Sequence, residues 1–251
     1  MAHRPPDAVT PGLTLIKFCG MTRAADANNA ARLGAAHVGV IFAEGPRQVD
    51  EATARVVFEA AGEQVGHVAV FGRASVDDIA AKATRVGADI VQLHGAQDAS
   101  SVADLRKRFR GKIWAVVSLD PDSDSLPLEA AELAAAADAL VLDARVGGRS
   151  GGTGRTLSWD GLSESIGRLR DRTELVLAGG LSPENVAAAI RAIRPHIVDV
   201  SSGVEISPGI KDFVRMEAFA EAVRSASIIV GEATYTAPEG KPIRPSRLES
   251  E

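Results

Sequence analysis

Residues 174–203 have the sequence ELVLAGGLSPENVAAAIRAIRPHIVDVSSG, which contains a complete strand–helix–strand unit. The apolar runs Glu174–Leu177 and Ile197–Val200 flank Pro183–Ile193, a segment whose apolar residues recur at helical spacing. Both runs are continuously apolar rather than alternating, which is typical of strands buried on both faces of a parallel sheet. Glycine or serine residues follow each run closely, so the polar positions fall at the carboxyl ends of the predicted strands.

The same order of apolar run and helical segment recurs along nearly the whole chain. The eight runs are Leu13–Phe18, His37–Phe42, Gly66–Phe71, Asp89–Leu93, Lys112–Val117, Ala139–Leu142, Glu174–Leu177 and Ile197–Val200. Eight strands that alternate with helices predict an α/β protein with a single-domain (β/α)8 TIM barrel over residues 13–225. Residues 1–12 and 226–251 are predicted to be flexible tails. An open doubly wound sheet is the alternative, because a count of strands does not establish closure.

Composition limits the possible partners and compartments. The chain has 251 residues, of which 45% are hydrophobic and 24% charged, as in an ordinary globular protein. A formal net charge of −5 argues against binding to nucleic acid or to an anionic membrane by bulk charge. The single cysteine excludes an internal disulfide framework and a multi-cysteine zinc site. Because the sequence also contains neither a membrane span nor a signal peptide, we expect a cytoplasmic protein.

Polar side chains cluster at the carboxyl ends of the predicted strands, where the active sites of such barrels lie. The candidates are Lys17, Cys19, Arg47, Gln92, His94, Asp143 and Asp199. Asp143 is the most informative, since a carboxyl group that closes an apolar strand is costly unless it is solvated, paired or functional. Each of the others has an ordinary alternative role, such as core packing for Cys19 or a solvated surface charge for Arg47.

Three glycine-rich loops follow the sixth, seventh and eighth predicted strands. Their candidate residues are Gly152, Thr153 and Gly154, then Gly179 and Gly180, and finally Ser201, Ser202 and Gly203. A phosphate group needs converging backbone N–H donors, and glycine lets the backbone come close to it. Barrels that bind phosphate commonly do so after the seventh and eighth strands, so the sequence predicts a phosphorylated ligand.

The same positions carry a family resemblance. The chain resembles phosphoribosylanthranilate isomerases in motifs spread from about residue 14 to residue 224. These motifs are Ile16–Arg23 with Asp26-Ala27, Gly45-Pro46-Arg47, Val91–Gly95, Leu142–Ala144, Gly151–Gly154, Leu177–Leu181 and Asp199–Glu205 with Lys211-Asp212. The resemblance implies a TIM barrel of tryptophan biosynthesis without metal or organic cofactor. Barrels of this size occur as monomers and as dimers, so we expect a monomer or a homodimer.

The resemblance also implies a reaction, the Amadori rearrangement of N-(5′-phosphoribosyl)anthranilate. By analogy with the family, Asp143 is the general acid and Cys19 the general base. Asp143 must then stay protonated although its free pKa is ~3.9, and Cys19 must ionise although its free pKa is ~8.5. We expect burial to raise the pKa of the acid and Lys17 to lower the pKa of the thiol. Arg47 is expected to hold the anthranilate carboxylate, and Lys17, Gln92, His94 and Asp199 to line the substrate site.

Two other interpretations remain open from the sequence. An isomerase of histidine biosynthesis, or a barrel that serves both pathways, has similar phosphate loops but resembles this chain less, because it uses an aspartate near the end of the first strand. This chain has Cys19 there. The second alternative is a catalytically silent barrel that only binds a phosphosugar, and such a protein would tolerate the loss of Cys19 or Asp143.

Overall fold

The computed structural model describes residues 13–95, 98–120, 123, 125–146, 149–150, 159–170 and 172–234. Strands and helices alternate through this part of the chain. The principal strands are β1 Leu15–Phe18, β2 His37–Ile41, β3 Gly66–Phe71, β4 Ile90–Leu93, β5 Lys112–Leu119, β6 Ala139–Val146, β7 Glu174–Ala178 and β8 Ile197–Val200. The helices are α1 Ala24–Arg32, α2 Glu51–Ala61, α3 Val76–Val86, α4 Ala99–Arg106, α5 Glu129–Ala136, α6 Trp159–Arg170, α7 Val186–Ile193 and α8 Phe213–Thr234.

The eight principal strands form a closed parallel barrel. Each strand pairs with the next in chain order, and β8 pairs with β1, where Leu15 lies opposite Ile197 and Lys17 opposite Asp199. This closure confirms the predicted TIM barrel and rules out the open sheet. Two short additions decorate the carboxyl ends of the strands. Arg149–Ser150 pairs antiparallel with the end of β6, and Glu205–Ser207 forms a hairpin with Ile210–Lys211 after β8.

Side chains alternate between two cores. On β1, Ile16 and Phe18 point outward and pack in the large core between barrel and helices. Cys19 belongs to the smaller core inside the barrel, which Val68, Val70, Ile90, Trp114, Ala139, Val141, Val176, Ala178 and Ile197 also fill. This two-sided burial explains why the strands are continuously apolar in sequence.

The last helix extends beyond residue 225, where the sequence predicted the barrel to end. It continues to Thr234, and Ala226 and Ser227 are buried. The Ser227 hydroxyl accepts a hydrogen bond from the Thr14 backbone N–H at 3.2 Å and donates one to the Val223 carbonyl at 2.9 Å. The boundary was therefore predicted too early, because this part of α8 packs against the start of β1. The predicted tail 1–12, and residues 235–251 of the other, lie outside the described residues.

Among the described residues, no helix is both long enough and apolar enough to span a membrane.

Candidate active site

A cavity of about 380 Å³ opens at the carboxyl ends of the barrel strands. Its size lies within the ~300–1,000 Å³ range of small-molecule sites. The predicted site residues that line it are Cys19, Arg47, Gln92, His94, Asp143, Gly179, Gly180, Asp199, Ser201 and Ser202. Lys17 and Gly203 are not part of the lining, and Gly152, Thr153 and Gly154 lie outside the described residues. Most of the predicted site thus meets at one end of the barrel.

Lys17 lies beneath the cavity floor and is paired with a residue of the lining. Its ammonium group is fully buried and donates a hydrogen bond to Asp199 Oδ2 at 2.7 Å. The two residues face each other across the β1–β8 pairing, so the ion pair follows directly from the strand register. Gly39 on β2 leaves the necessary room, because a Cβ atom there would lie 3.0 Å from Cys19 Sγ and 3.2 Å from Lys17 Nζ.

The Cys19 thiol, directly after β1, is subject to opposing effects on its pKa. Burial raises its pKa, and the neighbouring Lys17 ammonium lowers it, but the net shift is upward. Lys17 therefore lowers the pKa of the thiol as the sequence predicted, but burial and the Asp199 carboxylate outweigh it. The pKa of Lys17 itself is raised, because Asp199 and Cys19 together outweigh the opposing effect of burial.

Asp143 lies within β6 on the opposite part of the barrel wall, because that strand continues past Leu142, where the sequence predicted it to end. It is buried, only 6% exposed, and its Oδ2 lies 3.5 Å from His94 Nε2 at the end of β4. A carboxyl group in this setting touches the cavity while most of its surface is shielded from water. The structure thus brings the predicted acid, the predicted thiol and His94 to one cavity.

Several buried polar atoms of the lining have no hydrogen-bond partner among the residues that the structure describes. They are Gln92 Oε1, Asp199 Oδ1 and Ser201 Oγ. Leaving such groups unsatisfied typically costs ~1–3 kcal/mol each. The cavity therefore favours a ligand that offers hydroxyl or amine donors, as a sugar does.

Arg47 follows β2 and is half-buried at the rim of the cavity. It makes a two-pronged ion pair with Glu205, in which Nη2 donates to Oε2 at 2.6 Å and Nε donates to Oε1 at 2.9 Å. The alternative prediction from the sequence, that Arg47 is only a solvated surface charge, is therefore wrong. The pKa of Glu205 is lowered, because Arg47 and Lys211 together outweigh the opposing effect of burial.

Glu205 and Lys211 lie within the family motifs, but the sequence alone indicates no role for either residue. Both side chains are nearly or fully buried, and Lys211 Nζ donates to Glu205 Oε1 at 2.8 Å. A charged residue in each strand of a short hairpin is the only sequence signal for this pair. Gly39 was also missed, although a glycine within an apolar strand indicates a close approach by another group.

The loop after β7 has a backbone conformation that favours glycine at two successive positions. Gly179 and Gly180 adopt φ values of 85° and 68°, a left-handed conformation that favours glycine. A Cβ atom on Gly179 would collide with the Ala144 backbone, so the loop packs closely against the end of β6. Ser201 and Ser202 follow the neighbouring strand, β8, and line the same cavity as Gly180.

Comparison with known proteins identifies the family. The model of the N-(5′-phosphoribosyl)anthranilate isomerase family matches residues 16–222, which include every barrel strand but the first residue of β1. The enzyme of that name from Ralstonia pickettii is 37% identical over 227 residues, which cover 87% of this chain and 96% of the relative. The chain belongs to the N-(5′-phosphoribosyl)anthranilate isomerase family. It is an isomerase of tryptophan biosynthesis.

Other members of the N-(5′-phosphoribosyl)anthranilate isomerase family agree with this assignment. The Pseudomonas aeruginosa enzyme is 38% identical over 211 residues, covering 84% of this chain and 95% of its own. The crystal structure of the Thermotoga maritima enzyme superposes with a TM-score of 0.74 at 32% identity, over 85% of this chain and all of that one. A further structure of such an isomerase, with TM-score 0.71, 30% identity and the same coverage, contains reduced 1-(o-carboxyphenylamino)-1-deoxyribulose 5-phosphate.

Among the described residues, no group of three or more His, Cys, Asp and Glu side chains is arranged to hold a metal ion. The expectation of a reaction without metal or organic cofactor stays a prediction.

Proposed function

We propose that this chain converts N-(5′-phosphoribosyl)anthranilate into 1-(2-carboxyphenylamino)-1-deoxyribulose 5-phosphate, with Asp143 as general acid and Cys19 as general base. The observation that carries the proposal is that these two side chains, from β6 and β1, line one cavity at the mouth of the barrel. The reaction needs one proton donor and one proton acceptor on the same bound sugar, and the cavity offers a carboxyl and a thiol.

The proposed steps balance without a co-reactant. Asp143 donates a proton to the ribose ring oxygen as the bond between that oxygen and C1 breaks, and the anthranilate nitrogen forms an iminium ion with C1. The Cys19 thiolate then removes the proton at C2, and the C2–H electrons form the C1–C2 double bond of an enolamine. The enol hydroxyl finally returns a proton to the Asp143 carboxylate and C1 takes one from the Cys19 thiol, which gives the ketose and restores both side chains.

The neighbouring polar groups suit the sugar hydroxyls. Gln92 Oε1 and Asp199 Oδ1 have no protein partner among the described residues and line the cavity, so we assign them as acceptors for sugar hydroxyls. His94 lies 3.5 Å from Asp143, close enough to influence the orientation of the proposed acid. Lys17 fixes the position of the Asp199 carboxylate by donating a hydrogen bond to it.

Arg47 is proposed to bind the anthranilate carboxylate. Glu205 occupies the Nε and Nη2 edge of its guanidinium group, while Nη1 makes no hydrogen bond with the residues that the structure describes. A carboxylate can approach at this end without displacing Glu205. The ion pair would then fix the plane of the guanidinium group, which carboxylate recognition requires.

The phosphate group is assigned to the loops after β6, β7 and β8. Gly179, Gly180, Ser201 and Ser202 line the cavity, and the left-handed glycines expose backbone groups that a side chain would cover. The ligand in the complex of the related isomerase carries a 5-phosphate, which supports a phosphate site in this chain. Gly152, Thr153, Gly154 and Gly203 complete the assignment as predicted from the sequence.

The substitution Asp143→Asn tests the acid. It preserves size and polarity but removes the transferable proton, so we expect kcat to fall ~10²–10⁴-fold with little change in KM. Turnover is measured by the loss of anthranilate-type fluorescence. Asp104→Asn is the matched control, because Asp104 lies exposed on α4 and its carboxylate pairs with Lys107 among the described residues. A folded Asp143→Asn protein with a kcat within threefold of wild type would exclude Asp143 as the acid.

A further inference from the structure

Lys211 is a buried cation next to the cavity that the proposed reaction does not use. It lies in the hairpin after β8, and its side chain is fully buried. The ammonium group donates to the Cys19 carbonyl at 2.5 Å, to the Ser201 carbonyl at 3.2 Å and to Glu205 Oε1 at 2.8 Å. An ammonium group has three N–H donors, so all of them are engaged and the side chain is held in one geometry.

These contacts join the two strand ends that carry the site. Cys19 follows β1 and Ser201 follows β8, and the same ammonium group ties both carbonyls together. The backbone of Lys211 is fixed in turn, because its N–H donates to Asp26 Oδ2 at 3.2 Å on α1. Lys211 is therefore held at its backbone by α1 while its side chain holds the main chain of Cys19.

A lysine is a costly way to fill this space. Burying an ammonium group carries a desolvation penalty that a methionine or leucine of similar length avoids, even when the charge is paired. The features that an apolar side chain lacks are the donors to the two carbonyls and a positive charge close to the thiol. These features indicate a role connected with Cys19 rather than with packing.

We propose that Lys211 is a positioning residue for Cys19, which fixes the main chain that presents the thiol and supplies a nearby positive charge that favours its ionised form. The catalytic part of this inference rests on the proposed role of Cys19 as the base. The effect of Lys211 on the ionisation of the Cys19 thiol does not depend on that role.

The electrostatics agree with this assignment. Four charged groups interact with the thiol. Lys17, Asp199 and Lys211 shift the pKa of Cys19, and Cys19 in turn raises the pKa of Arg47. Burial raises the pKa of Cys19 and Asp199 raises it too, whereas Lys17 and Lys211 lower it. Removal of the charge on Lys211 should therefore raise the pKa of the thiol further.

Two substitutions separate the charge from the hydrogen bonds. Lys211→Met removes both, while Lys211→Gln retains N–H donors without the charge. Lys107→Met is the matched control, because Lys107 is 70% exposed directly after α4 and lies outside the site. The readouts are the rate of alkylation by iodoacetamide as a function of pH, and kcat. Because Cys19 is the single cysteine, alkylation reports on this thiol alone, and only the thiolate reacts.

We expect both Lys211 variants to shift the rise in alkylation rate to higher pH. We expect Lys211→Met to lower kcat about 10²-fold, as a misplaced catalytic group does, and Lys211→Gln to lower it less. Lys107→Met should match the wild type in both readouts. A purely structural role predicts reduced stability with no shift in the alkylation midpoint.

A folded Lys211 variant whose alkylation midpoint equals that of the wild type would overturn the inference. Should Lys211→Met fail to fold, Lys211→Gln decides the question, since it keeps a polar group for both carbonyls. Failure of the wild-type protein to isomerise the substrate would instead contradict the proposed function. The alkylation comparison would still test the effect of Lys211 on the thiol.

Discussion

Single residues inside the barrel show how a buried charge is tolerated. Lys17 is fully buried, yet its ammonium group has a carboxylate partner in Asp199 on the neighbouring strand. Gly39 makes this arrangement possible, because any side chain there would meet the Lys17 ammonium and the Cys19 sulfur. Breaking a buried ion pair by removal of one partner typically costs ~3–5 kcal/mol, so this pair also rigidifies the floor of the site.

His37 provides a prediction about pH and stability at the same scale. It is 6% exposed and packs edge-on against Trp114, and its pKa lies at about 3, because burial lowers it and the charges of Lys17 and Lys112 lower it further. As the pH decreases through about 6.5, His37 is therefore protonated in the unfolded chain but stays neutral in the folded protein. The free energy of unfolding falls as the pH decreases below that value. Between pH 8 and pH 5 we expect this residue to remove about 2 kcal/mol from the free energy of unfolding.

Urea unfolding of wild type and of His37→Gln at these two pH values measures the effect. The substitution removes the titrating group, so the loss of stability between the two pH values should be about 2 kcal/mol smaller in the variant. Equal losses in both proteins would show that His37 is not the group responsible. The absolute stability of the variant does not affect this comparison.

The sequence predicted which residues meet at the site better than which residues bind one another. Cys19, His94 and Asp143 were identified because each follows an apolar strand, which is a local signal. The partners of Lys17 and Arg47 were not predicted, since Asp199 and Glu205 lie far along the chain. Such pairs are fixed only when the barrel closes and the hairpin after β8 folds back over its mouth.

At the scale of elements, the loop after β7 is the part of the proposed phosphate site that can be tested most cleanly. Gly180→Val places a branched side chain on a left-handed backbone position beside the cavity. We expect KM for the phosphorylated substrate to rise more than tenfold, because loss of a single charge-assisted hydrogen bond costs ~1.5–3 kcal/mol. Inorganic phosphate should also compete less well against the substrate in the variant.

Gly34→Val is the matched control for backbone strain. Gly34 has a similar φ of 81°, and a side chain there would meet nothing within 4 Å. It should lower stability as Gly180→Val does, while KM stays unchanged. An unchanged KM in a folded Gly180→Val protein would remove this loop from the phosphate site.

Elements were predicted where the signal is local. All eight apolar runs correspond to barrel strands. The start of α3 is likewise local, since the Ser75 side chain accepts a hydrogen bond from the Asp78 N–H. The end of α8 was not predicted, because the proline-rich composition farther along suggested a tail. Its extension to Thr234 depends on burial of Ala226 and Ser227 against the first strand, which the local sequence does not reveal.

At the scale of the whole molecule, barrel closure turns distant sequence positions into one site. Cys19, directly after β1, and Asp143, within β6, line a common cavity only because β8 returns to pair with β1. The Thermotoga maritima relative is described as a dimeric enzyme. For this chain, a monomer or a homodimer remains the prediction.

The most direct test of the account is the kcat of Cys19→Ala with N-(5′-phosphoribosyl)anthranilate. The substitution removes the proposed base, so kcat should fall ~10²–10⁴-fold while KM changes little. The folded state of the variant is checked by its thermal unfolding, because the loss of a buried sulfur also removes some packing. A folded Cys19→Ala protein that turns over at close to the wild-type rate would contradict the account, and Asp199 or His94 would then become the candidate base.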